Sequence, residues 1–307
     1  MRENIVMEAT LITRESRPLR HYLLPHHVPL MFWRHGPLMR QLIGRAVAAR
    51  YRGSLLGLLW SLIIPLVMLT VYTFVFSVVF QARWQSTARQ DAAAAEVSSA
   101  GAPAAAPSKV EFALTLFCGL LLFNLFSETV SGNTGVIAGH AAYVKKVVFP
   151  LEILPVVTLG AALVNTAISL GLLILAMSLF MQPPTASLAY YPLVLLPLLM
   201  LCLGVSWFLA SLGVYVRDVG PVTAVVLQML VFLTPLFYSL EQVPERFRLL
   251  MRLNPLSVIV ENARQTVMWN HAPDWLWLGA VIALSAVVMQ LGYVWFMKTR
   301  RGFADVL

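Results

Sequence analysis

The amino-acid sequence predicts an all-α polytopic membrane protein with six transmembrane helices. An N-terminal amphipathic interfacial helix precedes them, and an outward-facing re-entrant helix pair lies between spans five and six. Three observations carry this reading. Of 307 residues, 59% are hydrophobic and only 12% charged, about half the charged share of a soluble domain. The mean hydropathy is +0.77. The apolar residues fall in blocks of about 19 to 31, long enough for a helix to cross a hydrocarbon core of roughly 30 Å. The short alternating segments of a transmembrane β-barrel are missing from the sequence.

Residues 1–54 read as a cytosolic tail and the interfacial helix. The first 36 are polar and irregular, with Pro18, Pro25 and Pro29, and Met31-Phe32-Trp33 as an interfacial contact. His26-His27 is an adjacent pair without further ligands, which is ordinarily just solvated. No apolar core followed by a small-residue cleavage site occurs in the first thirty residues, so no cleavable signal peptide is expected. Over Pro37–Arg52, helical spacing gathers Leu38, Met39, Leu42, Ile43, Ala46, Val47 and Ala49 on one half. Arg40, Gln41 and Arg45 lie on the other, with Pro37 in the first turn. Such a helix lies along a bilayer surface with its arginines among the head groups.

Residues 55–297 form the six-span domain. The first span is Leu55–Phe80, entered through Gly53 and Gly57 and kinked at Pro65. Residues 81–111 are rich in Ala, Ser and Pro and read as an external, water-exposed loop. The remaining spans are Phe112–Val130, Leu151–Met181, Leu188–Val216, Val222–Leu240 and Trp275–Met297. Between spans two and three, Tyr143–Pro155 packs Lys145, Lys146, Glu152 and two prolines into a charged bend. Residues 241–274 contain two Pro-marked starts, Val243-Pro244-Glu245 and Asn254-Pro255-Leu256, and read as an external re-entrant gate. Non-helical backbone at that depth requires protein or a water-filled cavity around it; an interfacial loop packed over the bundle is the alternative. Residues 298–307 form a C-terminal tail.

Lys and Arg counts orient the chain. With the N-terminus inside, inner segments carry 15 and outer segments 7, so both termini and the Tyr143–Pro155 bend are expected in the cytosol. The net charge of +8 is concentrated beside the first span. Topology and anionic lipid explain it better than nucleic acid does.

Catalytic patterns are missing. The sequence has no G-x-x-x-x-G-K-[ST] loop and therefore no route to ATP hydrolysis of that kind. It also lacks H-E-x-x-H, G-x-S-x-G and any metal-ligand cluster, and Cys118 and Cys202 lie singly in apolar runs. Spans almost free of charge argue against a proton- or sodium-coupled carrier and against an intramembrane enzyme such as a lipid-linked sugar transferase. What remains is a pathway whose energy comes from elsewhere. Aromatic residues recur in and near the spans, among them Phe117, Phe123, Phe126, Trp207, Phe232 and Tyr238. Their rings suit the apolar faces of sugars in a glycan channel, and equally suit core packing.

Arg50-Tyr-Arg-Gly-Ser-Leu-Leu-Gly-Leu-Leu-Trp-Ser61, running on to Pro65, and Tyr72-Thr-Phe-Val-Phe-Ser77 resemble the first span of type-2 ABC exporter permeases. Tyr143–Pro155 is similar to the segment that members exporting O-antigen and related polysaccharides place between spans two and three. Tyr215-Val-Arg-Asp218, Thr234-Pro-Leu-Phe-Tyr238, Asn254-Pro255 and Phe303-Ala-Asp-Val-Leu307 fit in the same order, so the resemblance covers roughly residues 37–307. The external loop is longer and richer in Ala and Pro than that pattern.

The resemblance implies a homodimer in the bacterial inner membrane, joined to two ATP-hydrolysing subunits that hold ATP and Mg; no cofactor is expected in this chain. It implies that the interfacial helix and the bend (Tyr143, Lys145, Lys146, Glu152) meet those subunits. The cargo would be a polysaccharide on a polyprenyl-pyrophosphate lipid, with capsule, teichoic acid or a lipophilic drug as alternatives. Arg50 and Arg52 suit its pyrophosphate at the inner leaflet, or else serve as positive-inside anchors.

Overall fold

The computed structural model describes residues 27–52, 59–72, 74–75, 109–145, 149–181 and 186–307. Among these residues all regular structure is helical. Four stretches are long and apolar enough to cross a membrane: Val110–Asn133, Leu151–Phe180, Ala186–Tyr215 and Trp275–Val306. The chain is a multi-pass membrane protein. Residues 1–26, residues 81–108 of the predicted loop, Lys146 and the ends of the first predicted span lie outside the described residues, while 109–111 of that loop already belong to a helix.

Helix α1 (His27–Tyr51) starts ten residues earlier than its sequence pattern implies and carries Pro37 inside rather than in its first turn. Pro37 sits on the exposed side, so its ring and its missing amide cost no packing against the bundle. The inner side follows a helical period through Val28, Met31, Leu38, Met39, Leu42 and Ile43, and rests on α4 (Leu154–Phe180). There Ile43 fits over Gly160, where an added Cβ would strike its side chain. α2 (Trp60–Tyr72) is the described part of the first apolar block and contains Pro65.

The centre of the bundle is α3 (Lys109–Asn133), with 78% of its apolar stretch buried, against 17% for Leu151–Phe180. Around α3 stand α4, α5 (Tyr191–Tyr215) and α8 (Pro255–Val267). α5 crosses α9 (Trp275–Thr299) at a pair of glycines. A Cβ on Gly204 would fall 2.5 Å from the Val288 carbonyl oxygen, and one on Gly292 would overlap the Gly204 carbonyl oxygen. Small residues that let backbones approach are how helices associate in lipid, where burial from water gives no drive. Asn133 joins α3 to α5 by donating to Ser206 Oγ at 3.0 Å.

α6 (Val219–Leu233) is shorter than the Val222–Leu240 block. Pro235 drives Thr234 to an extended conformation (φ −101°, ψ 134°), which ends the helix there. The chain then turns into α7 (Glu245–Leu253) and α8. Asn254 starts α8 by accepting from the Leu256 amide at 3.1 Å, with Pro255 in the first turn. Asp274 does the same for α9 through the Leu276 and Trp277 amides.

Candidate functional site

Where α1, α2, α3 and α4 meet there is an open cleft of about 870 Å³. Trp60, Ile64 and Met68 of α2 and Phe117 of α3 give it an apolar wall. Asn124, Ser127 and Glu128 of α3, with Asn165 and Ser169 of α4, supply polar groups. Arg50 closes the α1 side by pairing its guanidinium with the Glu128 carboxylate. Asn165 Nδ2 also donates to Glu128 Oε1 at 3.4 Å. Both charged side chains keep access to solvent, at 42% and 34% exposure. Such a pair is exchangeable, because water or a competing anion can take over either partner. Arg52 is exposed just beyond Arg50. A space with both walls suits an amphiphile carrying a polar, anionic group.

The bend is built differently. After α3, the short helices Val136–Gly139 and Ala141–Lys145 lead to a single turn, Leu151–Ile153, that runs straight into α4. Tyr143 lies half-buried between His140 and Phe149, with ring centroids 5.5 and 4.7 Å away. The Glu152 carboxylate does not point to solvent. It is buried and takes Arg300 Nη1 on Oε2 at 2.6 Å. Trp207 Nε1 donates to the Glu152 carbonyl at 2.9 Å.

The six aromatic residues named from the sequence separate into groups. Phe123, Phe126 and Trp207 are buried in the subunit's packed core, Trp207 edge-on to Tyr293 with centroids 5.2 Å apart. Phe117 is buried but borders the cleft. Phe232 stands 68% exposed on α6. Tyr238 is half-buried, its hydroxyl donating to the Phe232 carbonyl at 2.8 Å.

Sequence reasoning missed Arg264, which it counted only as an outer-loop cation. The side chain is fully buried. It donates to the Pro235 and Leu236 carbonyls at 2.7 Å each and to the Thr115 carbonyl at 3.2 Å. Those carbonyls of 235 and 236 belong to the backbone that Pro235 broke out of helix, and they need a donor at that depth. Gly119 leaves room for the guanidinium, since a Cβ there would come within 2.7 Å of Nη2. A non-helical stretch inside an apolar block is the signal that would have called for such a donor. Among the described residues no three His, Cys, Asp or Glu side chains converge as metal ligands.

The chain is similar to three proteins named "O-antigen export system permease protein RfbA". One, from Myxococcus xanthus, is 29% identical over 271 residues, covering 87% of this chain and 94% of that one. Two from Klebsiella pneumoniae are 20% and 21% identical over 197 residues, each covering 64% of this chain and 76% of the relative. The model of the ABC-2 type transporter family matches residues 37–268, from the middle of α1 through the end of α8. The cleft, the second half of α1 and the helices from α2 through α8 thus fall within one family domain, and the chain belongs to the ABC-2 type transporters.

Proposed function

We propose that this chain is the transmembrane permease subunit of an ATP-driven exporter that moves lipid-linked O-antigen polysaccharide to the outer face of the inner membrane. The observation that carries the reading is the near full-length similarity to a relative named as an O-antigen export permease. In this reading two copies pair and join two ATPase subunits that hold ATP and Mg. Six crossings leave both termini in the cytosol, with the shorter α2 and α6 completing the set. α7 and α8 form the outer gate, and Arg264 holds the non-helical backbone beneath it.

The cleft at Arg50 and Glu128 then lies toward the cytosolic half, since the bend and the α3 C-terminus share that end. Arg50, with Arg52 beside it, receives the pyrophosphate of the polyprenyl carrier, because a guanidinium pairs with phosphate oxygens through two parallel hydrogen bonds. Phe117 and the exposed Phe232 are the aromatics placed to meet cargo, whereas the enclosed ones support the fold. Tyr143, Lys145 and Lys146 form the contact with the ATPase subunits.

A strain lacking the gene tests the reading directly. Surface O-antigen should disappear and lipid-linked polymer should accumulate inside; normal surface glycan refutes it. The purified chain alone should not turn over ATP. Reversing Lys145 and Lys146 to Glu should cut surface glycan sharply while the protein still inserts, and unchanged glycan would remove the coupling role.

A further inference from the structure

Of the last nine residues Arg301, Ala304, Asp305 and Val306 are exposed, but Thr299, Arg300, Gly302 and Phe303 are held against the bundle. Phe303 is fully buried, with centroids 5.6 Å from Phe296 and 6.0 Å from Tyr215. Thr299 is held twice: its carbonyl takes the Tyr215 hydroxyl at 2.8 Å, and its Oγ1 meets Ser211 Oγ at 2.5 Å. Gly302 lies so close to the Tyr215 hydroxyl that a Cβ would come within 2.6 Å of it. The Phe303–Val306 turn also touches the Ala141–Lys145 helix. Arg300 lies in the middle of this packing, with its guanidinium on Glu152 in the bend. The tail therefore grips the bend from one side while Trp207 of α5 holds the Glu152 carbonyl from the other.

We propose that the C-terminal segment Thr299–Leu307 is a clamp on the bend, with Arg300 and Glu152 as its positioning pair. It makes the bend, the end of α5 and the end of α9 move as one body. An exposed carboxylate in a coupling bend is free to meet a partner subunit, but Glu152 is turned inward and neutralised within its own chain. A force delivered at Tyr143 and Lys145 then cannot be absorbed by rotation of the Leu151–Ile153 turn alone. The turn is tied to α9, 148 residues away, and α9 crosses α5 at the Gly204–Gly292 contact. Transmission between sites needs rigid elements of this kind, able to occupy two arrangements as units. Arg300 is not a cargo contact here; it acts through the bend.

The clamp rests on the export reading for its purpose but not for its existence, so two readouts separate them. The first is amide hydrogen exchange on the purified full-length chain in lipid nanodiscs, free of cargo and partner. Arg300→Gln and Glu152→Gln should each raise exchange in both Leu151–Leu154 and Thr299–Leu307 by about tenfold, because local opening exposes both together. The exchanged pair, Glu152→Arg with Arg300→Glu, should return both segments toward wild type. The second readout is surface O-antigen in cells carrying the same variants. The single substitutions should lower it at least severalfold with the protein still in the membrane, and the exchanged pair should restore it.

Exchange that stays at wild-type level in the single variants overturns the clamp. Raised exchange with undiminished glycan, where loss of the whole gene does abolish glycan, overturns the clamp's role in transmission. If the exchanged pair fails to accumulate, a membrane-permeant bis-maleimide tether between Glu152→Cys and Arg300→Cys decides the matter. Cys118→Ala and Cys202→Ala in the same chain leave the two new thiols as the only ones, and the untethered double-cysteine chain is the baseline. Export recovered on tethering supports a body that moves as one, and export lost on tethering overturns it. Normal glycan in a strain lacking the whole gene would refute the export reading, while the exchange measurement would still judge the clamp.

Discussion

Two of the arginine–glutamate pairs among the described residues, Arg300–Glu152 and Arg50–Glu128, share a chemistry but not an environment. Arg300 and Glu152 are 16% and 8% exposed; α5 holds the Glu152 carbonyl through Trp207 and the carbonyl of Thr299, next to Arg300, through Tyr215. Arg50 and Glu128 are 42% and 34% exposed beside an open cleft. A buried pair that loses one member strands the other charge, whereas an exposed pair falls back on water. The first therefore behaves as a weld and the second as a latch. Substitutions at matched positions in the two regions should differ accordingly.

The largest effect is expected at the weld. Glu152→Ala leaves the largely enclosed Arg300 guanidinium without its carboxylate, which should cost up to about 3 kcal/mol. Thermal unfolding of the purified chain in detergent checks this, and a shift no larger than that of a surface substitution would show that water already reaches the pair.

Next come two glycines, one in each region. A Cβ on Gly213 of α5 would overlap the Thr134 carbonyl oxygen, which is backbone and cannot step aside. Gly213→Ala should therefore cost about 1–3 kcal/mol, as overpacking generally does. Near the cleft, a Cβ on Gly160 meets only the Ile43 side chain. Ile43 can change rotamer, so Gly160→Ala should cost less than Gly213→Ala in the same unfolding assay. Equal costs would mean that α1 is held on α4 as firmly as α5 is held at the joint.

The same contrast explains what could be read from sequence. Apolar blocks located α3, α4, α5 and α9 to within a few residues, because membrane length and lipid solubility are local properties. Helix ends were legible where a side chain or ring acts on its own backbone, as Asn254 and Asp274 do. The start of α1 was hidden: Pro29 and Pro37 look like breaks until the bundle shows that both are exposed. Glu152 was recognised as part of the bend, but its partner lies 148 residues on, and no spacing rule joins them. Arg264 was opaque for the same reason, as its acceptors at 235 and 236 exist only once α6 has stopped. Trp207 carries the composition of a channel wall and the surroundings of a core residue. Pattern reports which elements form, while pairing across elements needs the folded chain.

The smallest stability effect, and the sharpest test of the latch, is Glu128→Gln. The substitution removes the charge but keeps a side chain of nearly the same shape, still able to hydrogen-bond with Asn165. Unfolding should therefore shift by no more than about 1 kcal/mol. Arg50 loses its anionic partner without losing the cleft around it. If that guanidinium receives phosphate, the carboxylate competes with the ligand in the wild-type chain. Glu128→Gln should then bind a polyprenyl-pyrophosphate probe in nanodiscs more tightly, and Arg50→Gln more weakly. Phosphatidylglycerol vesicles as competitor distinguish a specific pyrophosphate from any anionic head group. Weaker binding in Glu128→Gln would mean that the carboxylate orients Arg50 toward its ligand, and the pair would then be a support rather than a latch.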